Sequence, residues 1–147
     1  MQTFLPYEDF TRSARVLDYR RLGKQRSETM IIWKTLSGIY AAEGKKGWPH
    51  HPATKMWTGC ENALLLYGLE MCSEWQRRGY EDDGTLDWFA ERIDWRGSMA
   101  LPSWLGDPDF HLSHRSNLVQ KEPDFYRPFW SDIPDNLPYL WPDVEGA

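Results

Sequence analysis

Apolar positions recur along this chain with a helical period, and no stretch alternates as a strand would. Over residues 9 to 40, Leu22, Thr29, Trp33 and Leu36 fall at about helical spacing, Asp9 or Thr11 stands where an N-cap belongs, and Gly23 is a candidate joint. One or two helices are predicted there. Gly44, Gly47 and Pro49 interrupt the pattern. A second helix is predicted to open at Pro52, because a first-turn proline lacks only an N–H that has no intrahelical partner. Met56, Cys60, Ala63, Tyr67, Met71 and Trp75 form its apolar stripe and Gly79 suits its end, so a spine of about 27 residues is expected. Residues 81 to 94 read as a short acidic covering helix with Leu86, Phe89 and Ile93 turned inward. After a loop from Pro102 to Pro108, Asp107 or Asp109 can cap a last helix carrying Phe110, His111, His114, Arg115, Leu118 and Lys121. From Pro123 onward, Pro123, Pro128, Pro134, Pro138 and Pro142 forbid a long helix. Their interleaving with Phe125, Tyr126, Phe129, Trp130, Tyr139 and Trp141 predicts an extended tail laid over the helices with its aromatics buried. The expected fold is all-α: one domain over residues 1 to 147, of three to five helices and a tail from about residue 123.

Composition agrees with a folded domain. A chain of 147 residues, 41% hydrophobic and with nine tryptophans, can bury a real core, which excludes disordered and low-complexity classes. No apolar run approaches the ~20 residues of a membrane span, and MQTFLPYEDF lacks the layout of a signal peptide. A cytoplasmic monomer with no membrane partner is expected. On one helix Cys60 and Cys72 would stand roughly 18 Å apart, beyond disulfide reach, so both are expected to be reduced, half-buried core residues.

Net charge changes the picture once it is resolved along the chain. The total of −5 argues against a polyanionic partner, yet residues 1 to 60 carry ten Lys/Arg against five Asp/Glu, and the acidic excess lies in residues 61 to 147. Arg12, Arg15, Arg20, Arg21, Lys24 and Arg26 are opposed in their stretch only by Asp18. A local anion-binding surface is therefore compatible with the acidic total.

Three constellations could carry chemistry. On a helix, Arg20, Lys24 and Ser27 share one line and Arg21, Gln25 and Glu28 a neighbouring one, giving a cationic face with one carboxylate at its end. That face, with Arg26, suits a phosphodiester or nucleotide, with Glu28 placed for proton transfer or for stabilising an oxocarbenium ion. Alternatively it is a solvated surface on which Glu28 pairs with Lys24 or Arg21. In Gly47-Trp48-Pro49-His50-His51-Pro52, His50 and His51 stand beside a helix start that can hold a phosphate, and Trp48 can stack on a base. The plainer alternative is that a histidine caps the helix and Trp48 staples it. The third group is His111, His114, Arg115, Asn117 and Lys121, available for phosphate and base-edge hydrogen bonds or for capping and surface pairing. A four-histidine metal site is not expected, because no metal-binding spacing accompanies the histidines. Phosphate-binding loops and serine or cysteine nucleophile signatures are missing as well, and no cofactor is expected.

Met1-Gln2-Thr3-Phe4-Leu5-Pro6, Arg21-Leu22-Gly23-Lys24-Gln25-Arg26, Gly47-Trp48 with His51-Pro52, Glu74-Trp75 with Arg78-Gly79, and Ser113-His114-Arg115-Ser116-Asn117-Leu118 together resemble the pyrimidine-dimer DNA glycosylase (endonuclease V-like) family. The resemblance runs to about Trp141 and is nearest to the actinobacterial and phage branch. It implies an all-α domain without metal, in which an N-terminal α-amine attacks C1′ of a damaged nucleotide, forms a Schiff base and leads to β-elimination. α-Amino groups in general titrate at about 7.7 to 8.0, so a neutral amine at neutral pH asks for little assistance. Two departures from the family pattern stand out. Gln2 is bulky where a small residue would follow a removed initiator, so Met1 is expected to stay in place, and its amine, one residue displaced from the family pattern, is the candidate nucleophile. The carboxylate nearest to Arg21 on its helix is Glu28, about two turns on.

Three readings follow. The first is a DNA N-glycosylase, with or without AP-lyase activity, acting on damaged or modified pyrimidines, with Met1 as nucleophile, Glu28 as carboxylate, and Arg20, Arg21, Lys24, Gln25, Arg26, His50, His51, His114, Arg115, Asn117 and Lys121 contacting phosphate or base. The second is a protein of the same fold that binds a free nucleotide or modified nucleoside without cutting DNA. The third is an interaction protein whose acidic segment from Glu81 to Asp94 meets a basic partner.

Overall fold

Two aspartates set the entry of the first helices. Asp9 accepts a hydrogen bond from the Arg12 amide and opens α1 (Phe10–Val16), and Asp18 accepts one from the Arg21 amide and opens α2 (Tyr19–Leu36). The joint in this region is therefore Leu17-Asp18. Gly23 lies inside α2, where a Cβ would stand 3.0 Å from the Trp75 ring, so it lets α2 close on α5 (Glu61–Arg77). The computed structural model describes residues 1–143, and regular structure within them is entirely helical. The remaining helices are α3 (Ile39–Ala42), α4 (Pro52–Lys55), α6 (Thr85–Arg92), α7 (Pro108–Lys121) and α8 (Pro123–Tyr126). The count exceeds the three to five expected because α3, α4 and α8 are single turns. No helix is long and apolar enough to cross a membrane among the described residues.

The expected spine helix is broken. It starts at Pro52 as predicted, but Gly59 adopts φ +79°, a left-handed backbone that no right-handed helix continues, and α5 restarts after Cys60. The break lets Met56 and Trp57 both sink into the core. Against α5 pack α1, α2 and α6. At Gly68 a Cβ would stand 2.6 Å from Phe89, so α6 lies almost on the α5 backbone, and Leu65, Cys72, Phe89 and Ile93 form a small cluster there. Cys72 is fully buried rather than half-buried, and burial pushes its thiol up to about 12; Cys60 is half-buried, and both are free. Glu74 works against its own burial: hydrogen bonds and charge from Arg77 and Arg78 hold it below the usual carboxylate range. Arg78 also donates to the Ala14, Arg15 and Leu17 carbonyls, capping the end of α1.

The feature that organises the interior is neither helix nor strand. Residues 3 to 5 run buried between α2, α5 and α7, with Leu5 at 0% exposure. A buried chain outside regular structure must find partners for its peptide groups, and here side chains supply them. Phe4 N–H donates to Gln25 Oε1 at 2.9 Å, and the Tyr67 hydroxyl lies 2.7 Å from the Phe4 carbonyl. Leu5 N–H donates to His114 Nδ1 at 2.9 Å, while His111 Nδ1 lies 2.8 Å from the Leu5 carbonyl. Arg115 donates to the Pro6 carbonyl at 2.7 Å, and Trp57 Nε1 donates to the Thr3 hydroxyl at 3.0 Å.

This contradicts the reading of α7 as a helix with one free polar side. His111 and His114 are buried because each holds an atom of Leu5. The tail does lie extended over α7: Leu137 and Leu140 donate to Ser116 and Ser113, and Tyr139 stacks on His114 at 4.5 Å. Its aromatics are not all buried, since Phe125 and Phe129 stay exposed.

The buried imidazoles make stability depend on pH. Burial, with a like-charge contribution from His111, lowers His114 to about 3, and burial also lowers His111. An unfolded chain, with its histidines near 6.5, binds more protons than the folded one between those values, so stability is full above about pH 6.5 and falls as pH drops toward 3. The unfolding free energy in urea is expected to decline by up to about 1.4 kcal/mol per pH unit from His114 alone. His114→Gln should flatten the profile between pH 6.5 and 4, and equal slopes for the two proteins would contradict this assignment.

Candidate active site

The start of α2 forms one wall of an open cavity of about 540 Å³. Asp18 fixes the helix start, so Arg20, Arg21, Lys24, Gln25 and Glu28 reach this wall from successive turns while Leu22 points into the core. Arg21 is held 3.3 Å from Asp18 and 3.4 Å from Glu122. Arg20 is exposed and pairs with no carboxylate among the described residues; its Nε donates to the Tyr19 hydroxyl. Lys24 Nζ lies 3.6 Å from Glu28 Oε1, so the pairing weighed as the plainer alternative for Glu28 is present, on a largely exposed lysine. Lys121 and Glu122, at the end of α7, close the far side.

The N-terminal segment forms the opposite wall, through Met1, Gln2 and Phe4. Gln2 N–H donates to Glu28 Oε2 at 3.2 Å, and Gln25 Nε2 donates to the same oxygen at 3.4 Å. Gln25, 1% exposed, sits at the base of the cavity wall; with Tyr67 at 2.8 Å it ties Glu28 to the buried chain. The Met1 amine makes no ion pair with a carboxylate among the described residues. His51 completes the group. It caps α4 by accepting the Ala53 N–H on Nδ1 at 3.0 Å, which assigns the proton of the neutral ring to Nε2. Burial and the positive charge of the Met1 amine lower its pKa, and Glu28 opposes them; the three residues line the same cavity. Trp141 of the tail meets His51 edge-on at 5.8 Å and lines the same cavity.

The other candidates are placed elsewhere. Arg26 donates to Asp82 at 2.9 Å and to the Asp82 carbonyl at 2.6 Å, and its guanidinium lies over Trp75; it locks α2 to the start of α6. Asp82 is correspondingly buried, also accepting the Leu86 N–H, so this carboxylate of the acidic segment is not presented to a partner. His50 is exposed in the loop ahead of α4, next to a separate hollow with Lys46 and Pro49. His114 and Arg115 serve the buried chain, Arg115 on a different face beside Tyr7, and half-buried Asn117 does not reach the cavity. Trp48 is no staple: it is 55% exposed and lines a neighbouring hollow. Sequence reasoning missed Tyr67, read as part of an apolar stripe, and Asp18 and Glu122, which hold Arg21. The signal for Asp18 was its place as the single acid in a basic run.

A carboxylate and the N-terminal residue thus line one basin rimmed by Arg20, Lys24 and Lys121, cations suited to an anionic ligand. A family model described as pyrimidine dimer DNA glycosylase matches residues 1–87, more than half of the 147-residue chain. The chain belongs to the pyrimidine dimer DNA glycosylase family. No curated protein and no solved structure matches it. The matched stretch contains Met1, Glu28, Trp48 and His51, whereas Lys121, Glu122 and Trp141 come from beyond it.

Gln25→Leu removes the acceptor of the buried Phe4 N–H and is expected to cost about 1–3 kcal/mol of stability. Lys121→Ala, on the rim, should stay within about 0.5 kcal/mol of the parent. Urea denaturation of the two variants checks the distinction between positioning and rim residues.

Proposed function

We propose that this protein is a DNA N-glycosylase with AP-lyase activity on damaged or modified pyrimidines, using the Met1 amine as nucleophile and Glu28 as its carboxylate. The observation that carries the proposal is the Gln2–Glu28 hydrogen bond, which brings the start of the chain against the one carboxylate of the cationic wall. Met1 nitrogen attacks C1′. The glycosidic bond between C1′ and the base nitrogen breaks, and the base leaves with the bonding pair, taking up the proton that the attacking nitrogen gives up. The C1′–O4′ bond then breaks, O4′ keeping the pair and taking a proton from solvent, which leaves an iminium between Met1 nitrogen and C1′. Loss of a C2′ proton then expels the 3′ phosphate, and water releases the amine. Glu28 stands against the positive charge that develops at C1′, where a preorganised carboxylate in a partly dry site acts most strongly.

Arg20, Lys24 and Lys121 take phosphate oxygens, and neutral His51 offers Nε2–H to an oxygen of the sugar or phosphate. Arg21 is half neutralised by Asp18 and Glu122 and mainly shapes the wall. Three rim cations, one of them loosely paired to Glu28, fit a short phosphate footprint, in keeping with the acidic total charge.

Borohydride is expected to trap the protein on a duplex with an abasic site, and acetylation of the N-terminus to abolish the adduct. Glu28→Gln should slow base release from damaged DNA by about 10²-fold or more. Arg20→Ala and Lys121→Ala should each lower the salt dependence of duplex binding by about one phosphate equivalent. An adduct that forms equally with a blocked N-terminus refutes the proposed nucleophile.

A further inference from the structure

Arg12 and Arg115 are cations that the proposed reaction does not use. Together with Tyr7, Glu8 and His111 they line an open cavity of about 620 Å³ that shares no residue with the active-site cavity. The arginines engaged in ion pairs among the described residues are Arg21, Arg26, Arg77, Arg78 and Arg127. Arg12 and Arg115 pair with no carboxylate there, although Glu8 and Asp9 line the same cavity. The Arg12 side chain donates no hydrogen bond among the described residues, and Arg115 spends one arm on the Pro6 carbonyl. The other N–H groups of both remain as planar forks that match oxyanions.

The two forks are held ready. Arg12 Cζ lies 3.8 Å from the centre of the Tyr7 ring and Arg115 Cζ 5.6 Å from it, so the two guanidinium carbons stand within the sum of those distances. Tyr7 is fixed at both ends. Its amide and carbonyl meet the Ser13 hydroxyl at 3.1 and 2.9 Å, and its own hydroxyl accepts the Trp130 indole N–H at 2.9 Å. Arg115 is anchored by its 2.7 Å bond to Pro6. Burial and the charge of Arg12 lower the Arg115 pKa, with Tyr7 and Asp132 opposing, so an anion at the pair relieves a repulsion already present. His111 adds only a wall, because one ring nitrogen meets the Leu5 carbonyl and the other accepts the Gly106 N–H.

Carboxylates decide which anion enters. Asp9 is committed to the α1 cap, and Glu8 lies against Gly106, where a Cβ would stand 3.1 Å from its Oε1. A nucleic-acid strand crossing this cavity would carry a row of phosphates past Glu8, Asp9 and Asp132, and like charges repel. One compact anion at the two guanidiniums escapes that cost. Arg12 comes from α1 and Arg115 from α7, so the forks reach the anion from two elements. A tetrahedral phosphate, with oxygens on every side, serves both, whereas a planar carboxylate is saturated by one. The volume lies within the range of small-ligand sites, about 300 to 1,000 Å³.

We propose that Arg12 and Arg115, beside the Tyr7 ring, form a binding site for the phosphate group of a small molecule, separate from the active-site basin and outside its duplex footprint.

Titrating inorganic phosphate into the full chain at constant ionic strength, followed by two-dimensional NMR of amide and arginine side-chain N–H groups, tests this. The Nε–H signals of Arg12 and Arg115 are expected to shift saturably. Arg12→Ala should fold, because the side chain is exposed and makes no internal hydrogen bond. In that variant the Arg115 signal should need about tenfold more phosphate or above, as expected for one lost charge-assisted contact. No saturable shift at the two arginines of the parent, or an unaltered affinity in Arg12→Ala, overturns the proposal. An undamaged duplex then decides where the phosphate comes from. It is expected to leave both arginine signals in place and to bind the parent and Arg12→Ala with the same salt dependence. Displacement of phosphate from Arg12 by the duplex, or a salt slope lower by about one phosphate equivalent in the variant, assigns the pair to the DNA footprint and overturns the small-molecule site.

Discussion

The structure depends on burying an extended N-terminal segment whose peptide groups have no helix or sheet to satisfy them. An unpaired buried N–H or carbonyl costs about as much as a lost hydrogen bond, so each must be met. Gln25, Tyr67, His111, His114 and Arg115 do this from α2, α5 and α7. The helices are consequently arranged around the segment, and its first two residues emerge at a defined place, against Glu28. The same polar side chains that stabilise the interior set the position of the chain start, which links stability and the proposed chemistry through one set of contacts.

Electrostatics then distinguishes the cations. Of the basic residues that cluster near α2, Arg26 is consumed by Asp82 and Arg21 by Asp18 and Glu122. Arg20, Lys24 and Lys121 remain at the rim, with Lys24 loosely paired to Glu28. A chain of net charge −5 thereby keeps a small cationic basin, sized for a few phosphates rather than a long stretch of duplex. On its other side Trp48 and Ile31 provide an apolar surface, and Met1, Glu28 and His51 line both, so they sit at a boundary between charged and apolar surroundings.

Much of this was legible in the sequence where the determinants are local. Asp9 and Asp107 cap the helices expected of them, the Leu86, Phe89, Ile93 spacing marks α6, and the prolines after Pro123 forbid a long helix. Arg20, Lys24 and Glu28 share a wall because helical spacing requires it. What escaped was set at long range. His114 meets Leu5 across more than a hundred residues, and Arg26 meets Asp82 across 56, so density of polar residues was read as exposure when it was internal pairing. The break at Gly59 escaped because Met56 and Cys60 fit a helical stripe whether or not the backbone between them is helical.

The central claim is that the buried segment delivers the α-amine of residue 1 as the reacting nitrogen, and mapping the adduct tests it most directly. After borohydride reduction on abasic DNA, nuclease trimming and proteolysis, tandem mass spectrometry of the peptides locates the sugar remnant. The account predicts it on the α-nitrogen of Met1. A remnant on the ε-nitrogen of Lys24 or Lys121, with an unmodified N-terminus, would contradict it.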